Sequence, residues 1–270
     1  MQMSLECSDF SVDTDGPDLE LAQDLRDLDL RQYAILLDID GTILDLAPAP
    51  QQVQVPADLR QTLQRLRELT GGALALVSGR PLANIDLIFA PLELAAIGGH
   101  GAECRAAPRA QASSHTQPLD ADLKGKLAAV CALAPGIIAE DKGYSFALHY
   151  RLAPDQAEAV RAAVAAICAE AKAGAIEILR GKSVVEIKAA GISKANAVRD
   201  LMAVAPFAKR KPIFIGDDIT DEPVFAVIAQ FGGLGFSVGH VAAPVNGRFA
   251  TPQSVRRWLA QIASNRGSKE

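Results

Sequence analysis

Short apolar runs, each followed by polar residues, recur along the chain and predict the strands of a parallel sheet. These runs are residues 35–37, 73–77, 95–97 and 212–215. Runs that are apolar throughout are typical of strands buried on both faces. Between the first two runs, leucines at helical spacing predict an amphipathic helix that ends at Gly71-Gly72. The pattern indicates an α/β fold in which helices flank a parallel sheet.

Two later segments alternate instead, which predicts strands of an antiparallel sheet with one packing face and one polar face. In residues 144–151 the aromatic and leucine side chains share one face, opposite Ser145 and His149. In residues 182–188 the charged side chains share the face opposite Val185 and Ile187. One interpretation is an ordinary sheet with one side in water. The other is a polar face that covers an active site and binds a hydroxyl-rich substrate.

The change of pattern predicts two domains. A core domain of residues 18–107 and 189–270 is interrupted by an inserted α/β cap domain, residues 108–188, which also contains helices near 120–133 and 155–172. A polar, proline-containing segment, 106–118, predicts the hinge. Residues 1–17 predict a disordered acidic arm, and from Asp18 leucine spacing predicts a short helix before the first strand.

Composition narrows the class of partner. The 270 residues carry a net charge of −5 and only 5% aromatic residues, which argues against nucleic acid as a partner. No apolar run approaches the roughly 20 residues that span a membrane. Four cysteines without a C-x-x-C pair predict reduced thiols and a cytoplasmic location.

The residues that follow the predicted strands carry the chemistry. Asp38 and Asp40 follow the first strand, then Gly41, which permits a sharp turn, and Thr42, which offers a hydroxyl and an N–H to an anion. Carboxyl ends of parallel strands meet at one edge of the sheet. Residues 216–222 crowd further carboxylates at the end of the fourth strand, and such a group predicts a bound hard cation.

Two further segments supply partners for an anion. Ser78-Gly79-Arg80 follows the second strand, before Pro81 at a helix start, and is a reasonable phosphate contact or a plain turn. Lys194 begins a predicted helix, where a cation opposes the helix dipole unless an anion lies nearby. His100, between glycines, is either a ligand-facing ring or a surface loop residue.

The segment Asp-Ile-Asp-Gly-Thr, with the Ser, Lys and Gly-Asp-Asp segments, resembles the haloacid dehalogenase (HAD) superfamily. The resemblance implies a Rossmann-like core in which Asp38 is the nucleophile and Asp40 the general acid/base. Ser78 and Lys194 would neutralise the phosphoryl oxygens. Magnesium would be held by Asp38, the backbone carbonyl of Asp40 and Asp217, with Asp218 and Asp221 in support.

Within the superfamily, the motifs at 98–103, 140–142, 149–151, 181–188 and 216–222 look like those of trehalose-6-phosphate phosphatases. This resemblance implies trehalose 6-phosphate as substrate, with possible coupling to a trehalose-phosphate synthase. In that family the residues corresponding to Glu140, Lys142, Arg151, Lys182 and Glu186 contact the disaccharide. The full set predicted to bind substrate is Thr42, Gly79, Arg80, His100, Glu140, Lys142, Arg151, Lys182 and Glu186.

Two alternative functions remain open, and two residues depart from the pattern of the family. One alternative is a capped phosphatase for a sucrose or mannosyl phosphate, whose cap would not be expected to carry the Lys182/Glu186 strand. The other is a non-catalytic sugar-phosphate sensor, which should lack Asp38 or Asp40. Ala189 and Ala195 stand where the family usually has Pro and Gly, which leaves the stiffness of the hinge open.

Overall fold

The computed structural model describes residues 29–47, 52–114, 118–171, 175–181, 183–240 and 245–264. Its strands fall into two sheets. In chain order they are β1 Tyr33–Leu37, β2 Leu74–Val77, β3 Ala95–Gly98, β4 Glu103–Arg105, β5 Ser113–Ser114, β6 Ile138–Asp141, β7 Ser145–His149, β8 Ile176–Gly181, β9 Val184–Ala189, β10 Lys211–Gly216, β11 Leu234–Val238 and β12 Gly247–Phe249.

The larger sheet has the order β12-β11-β10-β1-β2-β3-β4-β5. Strands β12 to β3 in this order run parallel, and β4 and β5 pair antiparallel at the edge. Strand β1 lies between β10 and β2, so the carboxyl ends of these three strands are adjacent. The four apolar runs fall within β1, β2, β3 and β10 or directly beside them, and their residues are almost wholly buried.

Helices cover both faces of this sheet. The α-helices of the described chain are α1 Ala57–Leu69, α2 Leu82–Phe89, α3 Ala121–Ala129, α4 Ala157–Ala169, α5 Lys194–Leu201, α6 Glu222–Gln230 and α7 Pro252–Ser264. Side chains of α1, α2 and α7 pack in one apolar cluster against the sheet. Those of α5 and α6 pack in a second cluster on the opposite face. This is the predicted sandwich of helices around a parallel sheet.

The smaller sheet, with antiparallel order β6-β7-β9-β8, spans residues 138–189 and so ends one residue beyond the predicted cap. One of its faces packs on α3 and α4 through Phe146, Leu148, Val185 and Ile187. The alternation in the sequence therefore identified the packing face correctly. On the opposite face Ser145, Ala147, Glu186 and Lys188 are also buried, so this face is not the water-exposed side of an ordinary sheet.

Two of the predicted segments lie outside the described residues, and one predicted domain boundary differs from the observed sheet. The arm 1–17 and the helix predicted from Asp18 lie outside the described residues. The predicted boundary at residue 108 falls before β5, which pairs with β4 of the larger sheet, so this sheet extends past the proposed hinge start. Among residues with described positions, no helix is long and apolar enough to span a membrane.

Candidate active site

Asp38 and Asp217 meet because they follow neighbouring parallel strands. The backbone N–H of Asp38 donates to the carbonyl of Ile215 over 2.9 Å, which continues the pairing of β1 with β10. The chain then turns at Gly41, whose φ is +86°. A Cβ atom there would lie 2.1 Å from Oδ2 of Asp217. The turn predicted at Gly41 is therefore present, and both the turn and the close approach of the Asp217 carboxylate require a glycine.

Lys194 forms the buried centre of the site. Its Nζ donates to Oδ1 of Asp38 and to Oδ1 of Asp221, both over 2.8 Å. Burial opposes its charge, but Asp221 and Asp38 raise the pKa of Lys194 above its ordinary value. Burial also raises the pKa of Asp38 well above its ordinary value, with Asp221 and Asp217 adding to the shift, although Lys194 opposes it.

The carboxylates of Asp38, Asp217 and Asp221 offer oxygen atoms within 4.8 Å of one another. Thr42 Oγ1 lies 3.2 Å from Asp38 Oδ2 and 3.0 Å from Asp217 Oδ1. Burial, and then the charge of Asp221, raise the pKa of Asp217 to about 6. Three carboxylates beside one lysine leave excess negative charge, and an all-oxygen donor set fits a hard divalent cation. This group could hold a metal ion.

Asp221 has a different environment from the other two acids. Its Oδ2 accepts from the backbone N–H groups of Asp217 and Asp218, each over 3.1 Å, and its Oδ1 accepts from Lys194. These bonds fix the loop that carries Asp217. The supporting role predicted for Asp221 at a metal stays a prediction, and Asp218 caps the short turn Ile219–Asp221.

Glu186 on β9 is the centre of a second network, on the cap side. Its Oε1 accepts from Ser145 Oγ over 2.5 Å, and its Oε2 accepts from Lys142 Nζ over 3.1 Å. Nε2 of His100, from the core, lies 3.2 Å from the same Oε2. Burial works against ionisation, yet the charges of His100 and Lys142 hold the pKa of Glu186 well below its usual range.

His100 therefore faces the cleft rather than lying on a surface loop. It is 8% exposed, with a φ of +57°. A Cβ atom on Gly79 would lie 2.4 Å from its Nε2, so Gly79 makes room for the ring. Its Nδ1 is buried and has no hydrogen-bond partner in the described part of the chain.

Two more residue pairs line the same cleft. Nε2 of His149 is 2.9 Å from Oε2 of Glu140. Burial raises the pKa of Glu140, but the hydrogen bond to His149 opposes this effect and the pKa is lowered overall. Arg151 Nη1 donates to the carbonyl of Ala47 over 2.8 Å, which joins the cap to the loop after β1. Lys182 lies outside the described residues.

The two networks face one cavity of about 670 Å³, a size typical of small-molecule sites. Thr42 and Asp221 are fully buried and are not among the residues that line it. The predicted site residues that line it are Asp38, Asp40, Ser78, Gly79, Arg80, His100, Glu140, Lys142, Arg151, Glu186, Lys194, Asp217 and Asp218.

Ser145 and His149 were not among the site residues predicted from the sequence. Both lie on the polar face of β7, beside Glu186 and Glu140 respectively. Their position on that face was the signal that could have identified them. Arg80 was predicted to bind substrate, which stays a prediction; its guanidinium is bound to Asp40 over 2.6 and 2.7 Å.

The parallel sheet flanked by helices, with a second antiparallel sheet and an acidic cluster at the strand ends, is a fold that this chain shares with solved phosphatases. Similar architecture occurs in a phosphatase of the haloalkanoate (HAD) superfamily from Bacteroides thetaiotaomicron, with 15% identity and a TM-score of 0.53 over 85% of this chain and 94% of that one. The C-terminal domain of trehalose-6-phosphate phosphatase from C. albicans matches with 18% identity and a TM-score of 0.77, over 93% of this chain and 98% of that one.

Sequence comparison gives the family. A profile of the trehalose-phosphatase family matches residues 36–254. Trehalose-6-phosphate phosphatase of Escherichia coli K12 is 39% identical over 234 residues, which cover 86% of this chain and 87% of that protein. The chain belongs to the trehalose-phosphatase family and is a phosphoric monoester hydrolase.

Proposed function

We propose that this protein hydrolyses trehalose 6-phosphate to trehalose and phosphate, with Mg²⁺, through an aspartyl-phosphate on Asp38. The observation that carries the proposal is the pair of networks whose residues line one cavity. The cluster of Asp38, Lys194 and Asp217 suits a phosphoryl group, and the Glu186 network suits sugar hydroxyls. The family match supports the same substrate.

In the first half of the reaction, Oδ of Asp38 attacks phosphorus while the bond from phosphorus to the sugar oxygen breaks. Asp40 gives its proton to that departing oxygen, so trehalose leaves as an alcohol. Ser78 and Lys194 neutralise charge on the phosphoryl oxygens. In the second half, Asp40 takes a proton from water, the water oxygen bonds to phosphorus, and the Asp38–phosphorus bond breaks.

Asp38, Asp217 and the backbone carbonyl of Asp40 would hold Mg²⁺, with Asp221 and Asp218 fixing the loop. When bound, the ion supplies positive charge that stabilises the phosphoryl group during transfer. The donor set fits this ion, because it consists of oxygen atoms with excess negative charge.

Recognition of the sugar is assigned to the cap side of the cavity. Glu186, Lys142, Glu140 and Arg151, with Lys182, bind glucose hydroxyls distant from phosphorus, and His100 closes the network from the core. Buried charged groups discriminate strongly among sugars, because a missing hydroxyl leaves them unpaired. We also place the reaction in the cytoplasm, which suits the free thiols of Cys104, Cys131 and Cys168, and expect a trehalose-phosphate synthase to supply the substrate.

The test is phosphate release from equal concentrations of trehalose, sucrose, mannose and glucose phosphates, each with Mg²⁺ or with a chelator. We expect strong preference for trehalose 6-phosphate and loss of turnover with the chelator. Equal rates on all the sugar phosphates would contradict the substrate. Undiminished turnover after chelation and dialysis would contradict the metal, and no turnover of any phosphate would favour a sensor.

Mg²⁺ affinity is expected to depend on pH in a definite direction. The pKa of Asp217 is raised to about 6 in the metal-free protein, and a ligand carboxyl must lose its proton before it binds metal. Below about pH 6 the apparent affinity should therefore fall by up to about tenfold per pH unit. Calorimetric titration of Mg²⁺ at acidic and neutral pH measures this change.

The matched control for the pH effect is Asp217→Asn. This variant should bind Mg²⁺ weakly at both pH values, because the amide cannot supply the charge. Equal affinity of the unaltered protein at both pH values would show that protonation of this cluster does not compete with the metal.

A further inference from the structure

Arg80 binds the carboxylate of Asp40 at two points. Its Nε donates to Oδ2 over 2.6 Å and its Nη2 donates to Oδ1 over 2.7 Å. Its Nη1 donates to Oδ1 of Asn84, on α2, over 2.8 Å. The side chain of Arg80 is 8% exposed, whereas that of Asp40 is 30% exposed and lines the cavity. Both residues line the cavity, and the guanidinium holds the more exposed carboxylate at its wall.

The backbone around Arg80 is fixed as tightly as its side chain. Its N–H donates to Ser78 Oγ over 3.1 Å, and its carbonyl accepts from the N–H of Gly99 over 2.9 Å. A Cβ atom on Gly98 would lie 2.9 Å from that carbonyl oxygen. The ends of β2 and β3 therefore determine where the guanidinium lies relative to Asp40.

We propose that Arg80, held by Asn84, is a positioning residue that fixes the direction of the Asp40 carboxyl during proton transfer. This inference rests on the proposed function, in which Asp40 is the general acid and base. The last torsion of an aspartate side chain is soft, so a single hydrogen bond would leave the carboxyl free to rotate. A two-point contact with a planar guanidinium removes that freedom.

The contact does not prevent proton transfer. A carboxylate has about four lone-pair sites, and Arg80 occupies one on each oxygen. Each oxygen keeps a site for the proton that passes to the sugar oxygen or comes from water. At least three of the five guanidinium N–H donors are engaged by Asp40 and Asn84, which leaves less capacity for the direct substrate contact predicted for Arg80 from the sequence.

The leaving group distinguishes positioning from phosphate binding. A sugar oxygen needs a proton in order to leave, whereas p-nitrophenolate leaves without one. The ratio kcat/KM reports only the steps up to departure of the leaving group, since that departure is irreversible. Loss of positioning should therefore lower kcat/KM for trehalose 6-phosphate alone, and loss of a phosphate contact should lower it for both substrates.

The experiment measures kcat/KM of Arg80→Lys and Asn84→Ala on trehalose 6-phosphate and on p-nitrophenyl phosphate. We expect Arg80→Lys to lower the value for the sugar phosphate by about 100-fold, the scale of general acid catalysis, and the value for the aryl phosphate by less than about threefold. Asn84→Ala should cause a smaller loss with the same substrate dependence. Both variants should show a burst of nitrophenol, because the later attack of water also depends on Asp40.

Equal losses on the two substrates, or no loss on the sugar phosphate, would overturn the inference. If Arg80→Lys does not fold, Asn84→Ala decides, because it keeps both charged side chains and removes only the hydrogen bond that steadies the guanidinium. Failure of the proposed function would be distinct: Asp40→Asn would then retain full turnover of trehalose 6-phosphate. If the unaltered enzyme prefers another sugar phosphate, the comparison is made with that substrate.

Discussion

Asp38→Asn is expected to abolish turnover of trehalose 6-phosphate, with a loss of at least about 10⁴-fold, the scale seen when a nucleophile is removed. An amide oxygen does not form the covalent intermediate with phosphorus. Phosphate release measures the loss, and acid quenching with radiolabelled substrate tests for phosphoenzyme, which should be found in the unaltered protein and not in the variant.

This loss should not arise from unfolding. Burial raises the pKa of Asp38, which means that ionised Asp38 is costly in the folded protein. A neutral side chain of the same shape removes that cost, and Lys194 retains its bond to Asp221. We therefore expect the midpoint of urea unfolding to change little.

The matched control is Asp45→Asn. Asp45 lines the same cleft, but its side chain is 70% exposed and forms an ion pair only with Arg256 within the described residues. This variant should retain activity. Phosphoenzyme formation by Asp38→Asn at an undiminished rate would place the nucleophile on another residue.

Glu186→Gln is expected to produce the second largest effect, about a 100-fold loss of kcat/KM on trehalose 6-phosphate. Hydrogen bonds to a charged group contribute about 1.5–3 kcal/mol each, and Glu186 joins Lys142, Ser145 and His100. Its charge orders all three. For p-nitrophenyl phosphate kcat/KM should change less than about threefold, because this substrate has no sugar hydroxyls for the Glu186 network to bind.

Steady-state kinetics on the two substrates check this prediction. Glu170→Gln serves as the control, since Glu170 lies at the exposed end of α4 and pairs with Lys126. It should leave both substrates unaffected. If Glu186→Gln reduced both substrates equally, the residue would support the structure of the cleft rather than recognise the sugar.

The local pattern of apolar and polar residues predicted strands and packing faces correctly wherever these depend on burial alone. The apolar runs identified β1, β2, β3 and β10, because a strand covered on both faces has no polar positions. The alternation in residues 144–151 placed Phe146 and Leu148 in the cap core, because successive side chains of a strand point to opposite faces. It also left open whether the polar face was in water.

Tertiary structure answered that question, since Glu186 is 7% exposed and lies against His100 of the core. The sequence around either residue does not show that the other lies beside it, because the two are 86 residues apart in the chain. The same holds for Arg80, whose segment looked like a phosphate contact or a plain turn until β1 and β2 placed it beside Asp40.

The sequence by itself determined four strands of the core sheet, the acids at the ends of these strands and the packing face of the cap sheet. Only the tertiary structure decided the pairs: Arg80 with Asp40, Lys194 with both Asp38 and Asp221, and Glu186 with His100. The physical reason is that burial follows from the local period of the chain. The partner of a charged side chain depends instead on strand order and on distances between segments far apart in the sequence.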